Sequence, residues 1–263
     1  MAASSRRRSR IVRSPDDHEH GRVLAREFDR AAAGFAERTR GRFDDMDVVE
    51  FSRVGPSDTV LEVGAGTGNF LSLFASAAAR LVALDITPAM LKQAREHHRG
   101  LHLVAGDGLR LPFASAGVEL AASAQVLHHV TQPVPFLIEL RRITARTGHV
   151  LVVDQVATER YEELAATNEL ERLRDPSHAA SRPPSAFRIM LSAAGLRIVD
   201  ERIVTSVDRL SKWMWPGEFP PERIDAVAAF IALRGAQTGM KFERDADDWV
   251  FERRRIMLLA EWA

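Results

Sequence analysis

The chain runs to 263 residues, 46% apolar and 27% charged, which is enough for one substantial core of the α/β kind. Lysine plus arginine balance aspartate plus glutamate at 36 each, so no global charge argues for a nucleic acid or an anionic membrane as partner. The absence of cysteine removes disulfides, cysteine-ligated zinc and thiol nucleophiles together.

The opening MAASSRRRSRIVRS is rich in Arg and Ser and has no acid before Asp16. An organellar transit peptide or a basic anchor fits such a start. Only Lys92, Lys212 and Lys241 are lysines, however, so arginine dominates the whole chain and residues 1–20 read as a disordered basic tail. Inside it, DDHEHG (16–21) has two histidines at alternate positions, but nothing apolar surrounds them to fix ligands. No metal is expected. The start lacks the apolar segment of a secretory signal, and no stretch approaches the roughly 18 apolar residues of a bilayer span. The expectation is a cytoplasmic enzyme acting on a small molecule.

From Arg22 to Arg40 the apolar positions Val23, Leu24, Phe28, Ala31 and Phe35 share one helical face, so residues 21–55 are expected to form a helical arm that docks on the rest. Residues 56–156 then alternate strand and helix. TVLEVG is a strand, NFLSLFASAAA a helix, RLVALD a strand ending on Asp85, and TPAMLKQAREHH a helix capped by Thr87 with Pro88 in its first turn. LHLVAGD and GVELAASA are the third and fourth strands, VLHHV and PVPFLIELRRIT continue as helix, and HVLVVDQV is the fifth strand. Strands this uniformly apolar belong to a parallel sheet covered on both faces. Residues 157–263 complete the sheet with LRIVDERIV and a last apolar strand after Arg255. Insertions at about 157–184 and 209–248 are expected to cover a substrate.

VLEVGAGTGNF (60–70) links a buried strand to an expected helix start through Gly64, Gly66 and Gly68. Missing side chains let backbone approach a ligand, and a helix start offers free N–H groups. The dinucleotide fingerprint needs a third glycine where Asn69 stands, and Glu62 would repel a pyrophosphate while suiting a cationic ligand. Asp85 ends the second strand, where an acid can accept both hydroxyls of a ribose, since Thr87 already fills the capping role. Asp107, between Gly106 and Gly108, suits a turn equally well. In a doubly wound sheet these three strand ends line one crevice.

Taken in order, VLEVGAGTGNF, LVALDITPAML, LVAGDGLRLPF and VELAASAQVLHHV resemble the class I S-adenosylmethionine-dependent methyltransferases, in the branch similar to the ubiquinone and menaquinone biosynthesis enzymes. The resemblance covers about 44–156 and implies a Rossmann-like, doubly wound, mostly parallel seven-stranded sheet with an antiparallel last strand. It implies that Gly64, Ala65 and Gly66, with Asn69, bound the methionine part of S-adenosylmethionine and that Glu62 holds its amino group or the loop. Asp85 would bind the ribose, Ile86 and Met90 would flank the adenine, and Asp107 would accept from the adenine amino group beside Gly108 and Leu109. Ala124 and Gln125 would line the methionine end and Phe28 would close over it. His128 would face a small methyl acceptor, apolar or aromatic to judge from Trp213, Met214 and Trp215, with His129 packed behind; both histidines could equally be structural. A nicotinamide-dependent oxidoreductase and an S-adenosylmethionine-binding protein without methyl transfer remain the alternatives.

Overall fold

The computed structural model describes residues 15–214 and 219–263. The basic tail through residue 14, and Trp215, lie outside the described residues. Five strands alternate with covering segments: β1 (Thr59–Val63), β2 (Arg80–Asp85), β3 (Leu101–Ala105), β4 (Val118–Ala124) and β5 (Thr144–Gln155). β6 (Leu196–Arg209), β7 (Glu243–Asp245) and β8 (Asp248–Trp262) complete one sheet of eight strands, ordered β3-β2-β1-β4-β5-β8-β6 with β7 on β8. The first five pair in parallel, whereas β8 runs antiparallel to both β5 and β6. The expected seven strands become eight because three residues, Glu243 to Asp245, fold back as a hairpin on the start of β8. β8 also begins at Asp248, earlier than Arg255, where its charged first half pairs along an equally charged extension of β6 to Arg209.

Alternation along the strands sends side chains to two apolar layers. Leu61, Ala121, Val150, Val152 and Leu258 meet Phe136, Leu137 and Leu140 of α4 (Pro133–Ile143) and Phe187 of α6 (Pro184–Ala193) on one face. Val60, Ala83, Leu120, Leu151 and Met257 meet Phe51 of α2 (Val48–Ser52), Leu91 of α3 (Pro88–His97) and Phe70, Leu71 and Phe74 on the other. Full burial of a side chain such as Leu137 or Phe74 is worth about 1.5–3 kcal/mol. A third cluster stands apart: Leu170 of α5 (Tyr161–Arg174), Trp213 of α7 (Leu210–Met214), Phe230 of α8 (Pro221–Arg234) and Phe251 of β8. Both insertions thus pack into one cap with its own core.

Three local expectations change. The arm helix α1 (Pro15–Thr39) starts ahead of Arg22, taking in residues read as tail. The glycine loop leads into only a single 3-10 turn, Leu71–Phe74. Leu71 and Phe74, three apart and both fully buried, suit the three-residue period of that turn better than the α repeat. LHHV forms its own 3-10 turn, Leu127–His129, separate from α4, which begins at Pro133. No helix among the described residues is long and apolar enough to cross a membrane.

Candidate functional site

Chain order reverses between β1 and β4, so their C-terminal ends open the crevice where doubly wound sheets take ligands. A cavity of about 520 Å³ lies there, roofed by α1. Phe28, Glu62, Gly64, Ala65, Gly66, Asn69, Asp85, Ile86, Met90, Asp107, Gly108, Leu109, Ala124, Gln125, His128 and His129 all line it. The topology brings together every residue the sequence singled out for the site.

The glycine loop is bound by its own surroundings. Gly64 and Ala65 donate to the carbonyl of Leu84 at 2.8 and 3.0 Å, Gly68 donates to the Ala65 carbonyl at 2.9 Å, and the Gly66 N–H reaches Asp85 Oδ2 at 2.7 Å. The expected set of free loop N–H groups is therefore absent at these four amides, and no phosphate cradle is formed by them. Gly64 adopts φ +80, and a Cβ there would stand 2.4 Å from Val126, whereas a Cβ on Gly66 would meet nothing within 4 Å. The first glycine is required by packing; the second leaves its face of the backbone open.

Asp85 also accepts the Thr87 N–H at 2.8 Å through Oδ1, and Thr87 makes no side-chain cap, so the division of labour expected between them is reversed. Asp85 itself turns the chain into α3. Its bonds from Thr87, Gly66 and Ile86 take up part of the carboxylate's acceptor capacity, and the ribose assignment depends on what remains. Burial raises its pKa, against the bonds from Thr87 and Gly66. Asp107 forms the turn, its Oδ1 accepting from Leu109 N–H at 2.9 Å. Asn69 differs more from expectation. Its Nδ2 donates to the Ala36 carbonyl and to Thr39 Oγ1, and its Oδ1 meets His98 Nε2 at 2.9 Å, so its polar atoms tie α1 to the loop.

Two polar atoms in the wall stand out. Glu62 is 1% exposed, and its Oε2 has no hydrogen-bond partner among the described residues. Burial, then the nearby charge of Asp85, raises its pKa well above the carboxylate range. Gln125, just after β4, lies in the left-handed region at φ +58, and its buried Nε2 likewise has no partner among the described residues. An unmatched acceptor and an unmatched donor in one wall are costly in an empty protein. They fit the ammonium and carboxylate of an amino acid, which is the fit that the methionine end of S-adenosylmethionine requires.

Both histidines are buried and both line the cavity. His128 Nδ1 lies 2.6 Å from Asp154 Oδ1. Burial, then His129, holds the His128 pKa well below its ordinary value, while burial raises Asp154 to about 6. Above that pH Asp154 is an acceptor only, so His128 Nδ1 donates and Nε2 carries the lone pair. His129 Nδ1 meets Ser177 through its carbonyl at 3.0 Å and its Oγ at 3.1 Å, and Phe28 packs edge-on against the ring at 5.2 Å. Trp213 and Phe219 line the cavity from the cap side.

Sequence reasoning missed Asp154, Ser177, and Arg42, Arg174, Arg253 and Arg255, all in the cavity or touching its histidines. Asp154 gave the same signal as Glu62, a carboxylate inside an apolar strand. The arginines gave none, because arginine is common throughout.

The fold and the strand-end carboxylates define a doubly wound α/β protein whose crevice suits a cationic, hydroxyl-bearing ligand. Residues 61–152, from β1 into β5, match the family model described as a methyltransferase domain. The chain is 33% identical over 107 residues to a demethylmenaquinone methyltransferase of Renibacterium salmoninarum, covering 41% of this chain and 45% of that protein. It is 28% identical over 152 residues to a malonyl-[acyl-carrier protein] O-methyltransferase of Serratia marcescens, covering 57% and 59%. The YcgJ structure from Bacillus subtilis superposes with a TM-score of 0.73 at 20% identity over 82% of this chain and 97% of that one, a likeness of fold. The chain spans about half the length of the curated relatives it matches.

Proposed function

We propose that the protein is an S-adenosylmethionine-dependent methyltransferase acting on a small acceptor. The observation that carries this reading is the pair of unmatched buried groups, Glu62 Oε2 and Gln125 Nε2, beside an open Gly66. Asp85 and Asp107 at the next strand ends would take the ribose and the adenine amino group, and Ile86 and buried Met90 offer apolar surface to the ring. A pyrophosphate is disfavoured, because four loop amides are already bonded and Glu62 lies beside them. That argues against a nicotinamide cofactor.

When bound, S-adenosylmethionine supplies a methyl group on a sulfonium, itself a good leaving group. The chain's own task is then to hold the acceptor in line with that methyl and keep water out. Phe28 and Phe35, an edge-to-face pair at 6.1 Å on α1, provide the apolar roof. With Trp213 they favour an apolar or aromatic acceptor body. His128, fixed by Asp154, is suited to take a proton from an acceptor hydroxyl or acidic carbon at Nε2. The two curated relatives are named for unlike acceptors, so neither acceptor is carried over.

Incubating the protein with methyl-labelled S-adenosylmethionine and a small-molecule extract of its native host tests the reading. Label should pass to a compound of low molecular mass. Binding of the donor with no transfer to any fraction would leave a cofactor-binding protein and overturn the enzyme.

A further inference from the structure

Beyond Glu62, Asp85 and Asp107, the cavity is lined by a group of arginines interleaved with acids: Arg42 from the segment after α1, Arg174 from the end of α5, and Arg253 and Arg255 from β8, with Asp45, Asp175 and Asp208 among them. Three of these arginines are matched. Arg174 lies 3.0 Å from Glu171, Arg253 3.1 Å from Asp208, and Arg255 3.1 Å from Asp45. Arg42 has no carboxylate within 4 Å among the described residues, although it lines the cavity in the middle of this group. Its guanidinium lies 5.8 Å from the centre of the Phe35 ring, and Arg255 donates to its backbone carbonyl. Burial, then the charges of Arg253 and Arg174, lower its pKa to about 9 against an opposing pull from Asp208, so at neutral pH it keeps its charge. Nearby, the Arg174 guanidinium lies 4.7 Å from the centre of the Trp213 ring, whose N–H is buried with no partner among the described residues.

The position of this charge relates it to the chemistry. Arg174 adjoins Asp175, whose Oδ1 accepts from Ser177 Oγ at 2.6 Å, and Ser177 in turn meets His129. The Arg174 end of the cluster therefore adjoins the histidines. Arginine presents a planar fork that matches a carboxylate or phosphate, and such a pair gains strength where water is excluded. An anion here would give Arg42 the direct partner that the other three arginines already have in Glu171, Asp208 and Asp45.

We propose that the methyl acceptor carries an oxyanion, a carboxylate or a phosphate, which docks on Arg42 between Arg174, Arg253 and Arg255, with its apolar body under Phe35 and Trp213. The proposal rests on the methyltransferase reading for calling the ligand an acceptor, but the anion site itself does not.

Calorimetric titration of the full chain with phenyl phosphate, benzoate and benzyl alcohol, each with and without S-adenosylhomocysteine, tests it. At least one of the two anions should bind ten times or more tightly than the alcohol, and the preferred one identifies the oxyanion. Raising the salt concentration should weaken that anion and leave the alcohol unchanged. Arg42→Gln should weaken the anion at least tenfold while S-adenosylhomocysteine affinity, which also reports folding, stays the same. Equal binding of all three probes, or an anion affinity indifferent to both salt and Arg42→Gln, would overturn the proposal. Anion binding that depends on Arg42 in a protein that ignores S-adenosylhomocysteine would sustain the anion site and defeat the donor reading alone.

Discussion

Asp154 and Glu62 are both carboxylates placed inside apolar strands, yet the structure uses them differently. Asp154 meets a partner, His128, at 2.6 Å, whereas Glu62 keeps an oxygen with none among the described residues. The first is suited to fix a tautomer, the second to receive a charge from outside. On this account methyl transfer should fall on the acid side of about pH 6, where Asp154 takes a proton and stops accepting from His128. The His128 ring, whose pKa burial holds well below its ordinary value, stays neutral over that range. Asp154→Asn should abolish this acid limb and slow transfer by roughly a hundredfold, the scale of a lost general base. A pH–rate profile of single-turnover transfer checks it, and an unchanged profile would remove His128 from the chemistry. Glu62 was legible in the sequence because glycines frame it. Asp154 carried the same pattern but lay twenty-four residues after Val130, where the last motif ends, and its partner histidine is brought to it by the pairing of β4 with β5. Arg42 was illegible, since its meaning depends on three arginines and three acids brought in from distant elements.

At the scale of elements, α1 is held to the core and the cap by separate ties. His20 Nε2 meets the carbonyl of His129 at 2.7 Å, Asn69 holds the Ala36 carbonyl and Thr39, and Glu27 pairs with Arg223 of α8 at 3.1 Å with both side chains mostly buried. The last tie joins the roof to the cap across the cavity mouth. Removing one member, as in Arg223→Ala, should raise hydrogen exchange along the first half of α1 and raise the acceptor KM more than it changes kcat. Exchange confined to α8 would show that the pair does not hold the roof. The arm was legible as an amphipathic helix from its apolar spacing. Its ties were not, because a histidine, an asparagine and an ion pair have no periodicity. The glycine loop shows the converse case, in which a motif located the element correctly but the buried pair Leu71 and Phe74 shortened the expected helix to one 3-10 turn.

For the whole molecule, the parallel sheet and the position of the crevice followed from the alternation of apolar strands and helices, a local signal repeated five times along the chain. The cap did not. Its core joins α5, α7, α8 and β8, elements separated by as much as eighty residues, through amphipathic patterns too short to declare their partners. The result is a cavity with strand-end carboxylates at the expected donor end and, elsewhere in its lining, ion-paired arginines together with Arg42. The donor end is the more decisive of the two, since the methyltransferase reading stands or falls with it.

Glu62 makes that end testable. Because the folded chain keeps the Glu62 proton to higher pH than the unfolded chain does, its contribution to stability declines as pH rises from the ordinary carboxylate range toward the raised value. Glu62→Gln removes that loss and should leave the melting temperature unchanged or higher. It also removes the charge-assisted bond to an ammonium, worth about 1.5–3 kcal/mol, or roughly ten- to a hundredfold in affinity. The direct measurement is calorimetric titration of S-adenosylhomocysteine into the wild-type protein and Glu62→Gln. The account predicts binding at least tenfold weaker in a variant no less stable. Equal affinity in the two proteins, or no binding to the wild type, would contradict it.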